Sequence, residues 1–178
     1  IEIPVSVPDI SGTETGISIP RGVKETAMGN RLNLPEGTET ILIVDDQETV
    51  WDFLIEALQK LGYSVLLAEN GLDAVEIYEN NPGQIDLVLL DMIMPHQGGH
   101  TTFYKLKELD PGVCVLLSSG FVSHNEVDDL LANGAAGFLP KPHRIATMAA
   151  EIRRILDERK KSQPVPEEKS GKNLENPA

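Results

Sequence analysis

A chain of 178 residues with 40% hydrophobic content is long enough for one domain with a real core plus flanking segments. Its formal net charge of -13 argues against direct binding to nucleic acid or to an anionic membrane surface, both of which need a basic footprint. One cysteine, Cys114, precludes an internal disulfide; no stretch nears the ~18 apolar residues that span a bilayer, and the N-terminus lacks the order of a signal peptide, so a cytoplasmic location is expected.

Residues 1–39 are rich in Pro, Gly, Ser and Thr, lack aromatic residues and read as a largely flexible linker or the end of a preceding domain. Within them Ile1, Ile3, Val5 and Val7 alternate as in an edge strand. The folded domain is expected over residues 40–159. Ile41 to Val44 is a short apolar run ending in Asp45-Asp46, the first strand. Val50, Phe53, Leu54, Ala57, Leu58 and Leu61 recur at helical spacing, with Gly62 as the stop. Ser64 to Ala68 is a second strand, and Asn70-Gly71 turns into a helix carrying Ala74, Val75, Ile77 and Tyr78.

Ile85 to Leu90 is the most hydrophobic run and delivers Asp91 at its end, with Pro95 soon after. A helix with Phe103, Leu106 and Leu109 follows Gly98-Gly99, and Val113 to Leu117 forms a fourth strand leaving through Ser118-Ser119-Gly120. Val127, Leu130 and Leu131 mark a fourth helix, Ala136 to Leu139 a fifth strand, and Ile145, Met148, Ala149, Ile152, Ile155 and Leu156 the last helix. Alternating strands and helices of this length predict an α/β fold with a doubly wound, five-stranded parallel sheet. Residues 160–178 turn polar and read as a disordered tail.

In such a sheet the carboxyl ends of the strands open on one edge, which is where chemistry sits. Asp45, Asp46, Asp91, Ser118, Ser119 and Lys141 all fall there. A lone Asp91 would read as a strand-end or capping residue; the company it keeps changes that reading. Three carboxylates in one crevice repel one another unless a cation compensates, and Mg2+ suits one or two carboxylates completed by water and phosphate. Asp91 is then a candidate nucleophile toward phosphorus, with the metal, the Lys141 ammonium and the Ser118 hydroxyl sharing the charge of the phosphoryl group.

At this point the chain resembles the receiver domains of two-component response regulators, over roughly residues 40 to 157. The motifs are Asp45-Asp46 after the first strand, Asp91-Met92-Ile93-Met94-Pro95, Ser118 after the fourth strand and Lys141-Pro142 after the fifth. The resemblance implies a flavodoxin-like (βα)5 sheet of strand order 2-1-3-4-5. It makes Asp91 the phosphoacceptor, served by a sensor histidine kinase or a histidine phosphotransfer protein. It also gives Mg2+ to Asp46 and Asp91 directly, to Asp45 partly through water, and to the Ile93 carbonyl. Ser118 takes the place of the hydroxyl that follows the phosphoryl oxygens, Phe138 that of the aromatic switch, and Lys141-Pro142 is expected to be cis.

Three departures from the family pattern stand out. Gln97, in His96-Gln97-Gly98-Gly99, is polar where an apolar residue is frequent. Ile93 and Gly120 flank the site without a group able to orient an attacking water, so a long-lived phosphoryl state is expected. As an isolated domain the chain would catalyse its own phosphotransfer and slow autodephosphorylation rather than turn over as a conventional enzyme. His96 and His100 are four apart, but Gly98 and Gly99 intervene and weaken any zinc reading; His124 and His143 read as surface residues, and Trp51 as a partly exposed packing residue.

The alternative is an unphosphorylated receiver-like interaction module, which would not need the acidic cluster. A phosphatase with an aspartyl-phosphate intermediate would place an acid two residues after the nucleophile, where Ile93 stands. The missing initiator Met, the strand-like Ile1 to Val7 and the linker favour the C-terminal receiver of a hybrid sensor kinase over a single-domain regulator. No output region for DNA binding or catalysis is expected within the chain, no membrane contact either, and homodimerisation is left open.

Overall fold

Short runs of Ile, Leu and Val separated by amphipathic stretches fold as alternating strand and helix. The computed structural model describes residues 34–162 apart from 121, 122 and 143. In chain order the elements are β1 (Thr40–Val44), α1 (Glu48–Lys60), β2 (Ser64–Ala68), α2 (Gly71–Asn80), β3 (Leu87–Asp91), α3 (Gly99–Leu109), β4 (Val115–Ser119), α4 (His124–Ala132), β5 (Gly137–Pro140) and α5 (Ile145–Ser162). The strands form one parallel sheet in the order β2-β1-β3-β4-β5, the expected flavodoxin-like arrangement.

Successive residues of a strand point to opposite faces, and this alternation divides the core into two layers. Ile41, Ile43, Leu87, Leu89 and Leu116 face α1 and α5, where Leu54, Leu58, Met148 and Ile152 meet them. Leu42, Val44, Val88, Leu90, Val115 and Leu117 face the other way, onto Ala74, Phe103, Leu106 and Leu130 of α2, α3 and α4. β3 and β4 are buried along their whole length because helices cover both faces, which is why their sequences read as continuous apolar runs. Each fully buried Leu, Ile or Phe contributes about 1.5–3 kcal/mol.

Several bounds and faces differ from the sequence expectation. β3 and β4 begin two residues later than predicted and run one and two residues further, so Asp91, Ser118 and Ser119 lie within the strands rather than beyond them. The ladder sets this: Asp91 pairs in register with Ser118, and Met92 still donates to the Ser118 carbonyl at 2.9 Å. Phe53, Leu109 and Leu131, placed on apolar stripes, are 52%, 44% and 38% exposed. Leu131 follows the buried Leu130 by one helical step, about 100° around the axis, which carries it off the face.

α5 continues through Ser162, so Lys160, Lys161 and Ser162, expected in the tail, are helical. The extra turn reaches back to the start of the domain. The buried Glu39 carboxylate accepts from Arg153 at 2.8 and 3.0 Å and from Lys160 at 2.6 Å, tying the segment before β1 to α5. Cys114 is buried as expected, and Trp51 is half-buried against the layer under α1 and α5. The strand-like Ile1 to Val7, His143 and residues 163–178 lie outside the described residues. Among the described residues no helix is long and apolar enough to cross a membrane.

Candidate functional site

β3 is flanked by β1 and β4, with β5 beyond β4, and the carboxyl ends of β1, β3 and β5 each present one charged group to the same point. Asp45 follows β1 directly, Asp91 closes β3 and Lys141 follows β5. Lys141 is aimed by its own backbone, whose N–H donates to the Ser119 carbonyl at 2.8 Å, and the Lys141-Pro142 peptide is cis. Its ammonium donates to Asp45 Oδ2 at 2.6 Å and to Asp91 Oδ2 at 2.9 Å. The remaining oxygens are oriented by main-chain donors: Gln47 N–H to Asp45 Oδ1 at 2.9 Å and Ile93 N–H to Asp91 Oδ1 at 3.2 Å.

Asp45 and Asp91 are both 3% exposed, whereas Asp46 faces solvent. One oxygen from each of the three lies within 4.8 Å of the others, a set that could hold a metal ion. Among the described residues this is the one such group of His, Cys, Asp or Glu; His96 and His100 do not form another. An oxygen-only donor set of this kind suits a hard divalent cation. Across from Asp91 in the ladder, the Ser118 hydroxyl oxygen is buried and has no hydrogen-bond partner among the described residues. A buried hydroxyl with nothing to bond is costly unless something else meets it.

Burial pushes the Asp91 carboxyl above its ordinary range, against the pull of Lys141 and with a smaller push from Asp45. Burial also works against the charge on Lys141, yet hydrogen bonds to Asp45 and Asp91 hold that ammonium above its ordinary value. The two directions are compatible because one cation serves two buried carboxylates. Lys141 gains from both, while each carboxylate gets only part of one ammonium.

Every sequence-predicted group except Phe138 therefore meets at this edge. Phe138 lies on β5, paired with Leu117, half-buried against the layer under α2, α3 and α4. Ile93 is 54% exposed, and its amide, not its side chain, engages Asp91. Sequence reasoning missed the Gln47 amide that orients Asp45. It also missed an apolar groove of about 600 Å3 beside the site, lined by Val50, Phe53, Gly120, Lys141 and Pro142 among others. An aromatic on a helical stripe is the only sequence signal of that groove, and a core position gives the same signal. Gln97 was visible as an anomaly; its role is not, because it depends on where α2 and α3 lie.

Comparison with known proteins agrees with this geometry. A family model described as the response regulator receiver domain matches residues 41–153. The chain is 32% identical over 138 residues to the sensor kinase CckA of Brucella abortus, a match covering 78% of this chain and 14% of that protein. It is 33% identical over 118 residues to the transcriptional regulatory protein CpxR of Escherichia coli, covering 65% of this chain and 48% of the relative. The chain thus spans half or less of the length of either. Among solved structures, a CheY-like receiver domain from Methanospirillum hungatei superposes with a TM-score of 0.67 at 28% identity, covering 71% of this chain and all of that one. CheY from the Borrelia burgdorferi CheX-CheY-BeF3-Mg complex gives 0.64 at 30% identity, over 66% and 88% of the two chains.

Proposed function

The chain belongs to the response regulator receiver domain family, a two-component signalling module, and on that premise we propose that Asp91 accepts a phosphoryl group from a phosphohistidine and that the domain answers by switching conformation. The observation that carries this is the Asp91 carboxylate, buried at the end of β3 and bonded to Lys141, directly across from the orphaned Ser118 hydroxyl.

In the transfer, an Asp91 carboxylate oxygen forms a bond to phosphorus as the bond from phosphorus to the donor imidazole nitrogen breaks. The electron pair stays on the imidazole, and the product is an acyl phosphate. The oxygens of Asp45, Asp46 and Asp91, with the Ile93 carbonyl, would hold Mg2+, and that ion supplies charge neutralisation of the phosphoryl oxygens when bound. The BeF3 and Mg named with the Borrelia burgdorferi CheY support this choice of ion. Lys141 is already within reach of Asp91 and can follow a phosphoryl oxygen without leaving the pocket. Ser118 can then donate its free hydroxyl to a second oxygen, satisfying a group that is otherwise unpaired.

The modification adds about -1.5 to -2 charges at one buried spot. Ser118 is drawn toward it, and Phe138, on the neighbouring strand, follows into the space vacated, changing the face made by α4 and β5. The donor is a sensor histidine kinase or a histidine phosphotransfer protein. The match to a sensor kinase supports a kinase in the same polypeptide, and the formal net charge of -13 supports a chain that makes no direct nucleic-acid contact. Incubation with acetyl phosphate and Mg2+ should add one phosphoryl group per chain by intact mass. Asp91→Asn should abolish it, and labelling that persists in that variant would sink the assignment.

A further inference from the structure

The loop from Met92 to Gly98 carries the Ile93 backbone past the acidic pocket, so whatever fixes the loop fixes the site. Its near end is held by the sheet, through Met92 N–H to the Ser118 carbonyl, and by Gly99 N–H to the Met92 carbonyl at 3.2 Å. Its far end is held by the first turn of α3, where the Gly98 carbonyl accepts from the Thr102 N–H at 3.1 Å, and by the Gln97 side chain. Gln97 is 8% exposed, an unusual place for a primary amide, and both ends of that amide are satisfied. Its Oε1 accepts from the Lys105 ammonium at 2.7 Å, and its Nε2 donates to Thr102 Oγ1 at 3.2 Å. Thr102 Oγ1 in turn donates to the Gly98 carbonyl at 3.1 Å, so the hydroxyl is an acceptor toward Gln97. Only one orientation of the amide satisfies both partners, because an ammonium has no acceptor.

The neighbouring helix is shaped to admit this arrangement. A Cβ on Gly71, the first residue of α2, would stand 2.0 Å from Thr102 Oγ1, 2.8 Å from the Gln97 carbonyl oxygen and 3.0 Å from its Nε2. Before the amide the chain bends through His96 at φ 65°, a region that costs most residues energy and His less than most. A bend of that kind needs anchoring, and the Gln97 clasp supplies it.

We infer that Gln97 is a positioning residue for the phosphoacceptor site, its amide clasping the Met92–Gly98 loop to α3 through Lys105 and Thr102 so that the Ile93 backbone is held against Asp91 and the acidic pocket. Groups one step behind metal ligands change metal affinity by about 10–100-fold when removed. Gln97 acts through the backbone, which places its effect at the lower end. The inference rests on the proposed Mg2+ site, so its test has one arm that needs the metal and one that does not.

The variants are Gln97→Ala, Lys105→Met and Lys105→Arg in the full chain. Lys105→Met leaves Gln97 in place and alters only a half-buried position on α3, so it guards against a loss of fold. In metal-free protein, hydrogen exchange at the Ile93 amide is followed by NMR. In a Mg2+ titration, the single tryptophan, Trp51, reports binding by fluorescence. Gln97→Ala and Lys105→Met should each speed Ile93 exchange and weaken Mg2+ binding by about tenfold. Their combination should be no worse than Gln97→Ala alone, and Lys105→Arg, which still donates to Oε1, should behave as wild type. Unchanged exchange and Mg2+ affinity in both single variants, even with a lower melting temperature, would overturn the inference and leave Gln97 as packing. If the wild-type chain binds no Mg2+, the metal reading fails and the exchange arm alone decides the clasp.

Discussion

Replacing Lys141 by Met removes the ammonium bonded to both Asp45 and Asp91 while keeping much of the side chain's length. At a separation of 4.8 Å, the bound on the three-carboxylate cluster, two carboxylates repel by about 3.5 kcal/mol at an effective dielectric constant of ~20. With both nearly inaccessible to water, the metal-free variant should be less stable than wild type by about 3 kcal/mol at neutral pH, a fall in melting temperature on the order of 10 °C. The penalty has a definite pH dependence. Asp91 is already above its ordinary value, and loss of Lys141 raises it further, so the folded variant binds more protons than its unfolded chain. Stability of the variant therefore falls as pH rises through the raised folded value, and the deficit closes as pH drops into the ordinary carboxylate range.

Mg2+ supplies the missing positive charge and should stabilise the variant more than wild type; saturation tenfold above Kd corresponds to about 1.4 kcal/mol. Thermal unfolding in EDTA and in Mg2+, at several pH values, measures all of this. Equal melting temperatures of variant and wild type in EDTA, or a deficit that does not change with pH, would refute the reasoning.

At the opposite end of the sheet, the two cations bonded to Glu39, Arg153 foremost, hold its carboxyl well below the ordinary range despite its burial. A lowered folded value means that the stabilisation is present above the unfolded value of about 4.5 and is lost as pH falls below it. Glu39→Gln should cost about 3 kcal/mol at neutral pH and flatten the acid limb of stability, as read from urea unfolding at pH 7 and pH 4; parallel acid limbs would count against the clamp. Ile93 and Gly120 offer no group to orient water, so the phosphorylated protein should keep its label far beyond seconds, and loss within seconds would contradict this. Among the described residues a Cβ at Gly120 would have only the Lys141 Cβ within 4 Å, at 3.9 Å, and Gly120→Glu should shorten the lifetime severalfold.

How much of this was legible beforehand follows from the range of each interaction. The order of strands and helices is local, carried by apolar spacing and turn residues such as Asn70-Gly71, whose Asn70 side chain indeed caps α2. The site is a special case, because a parallel sheet sends every strand's carboxyl end to one edge. Four short motifs separated by tens of residues could therefore be brought together on paper.

What the sequence could not settle is which member of that set bonds which, and which apolar side chains are covered. Lys141 chooses Asp45 and Asp91 and leaves Asp46 to solvent, a choice set by the parallel registers of β1, β3, β4 and β5. Glu39 meets Arg153 and Lys160 across more than a hundred residues, and Gln97 meets Lys105 only because α3 returns past the loop. Phe53 obeys the helical period and is still half exposed, because the period names a face but not what lies opposite it. Short-range periodicity determined the elements and the edge at which Asp91 stands. Only the packed tertiary structure decided its partners, since burial and hydrogen-bond pairing are properties of groups brought together from distant parts of the chain.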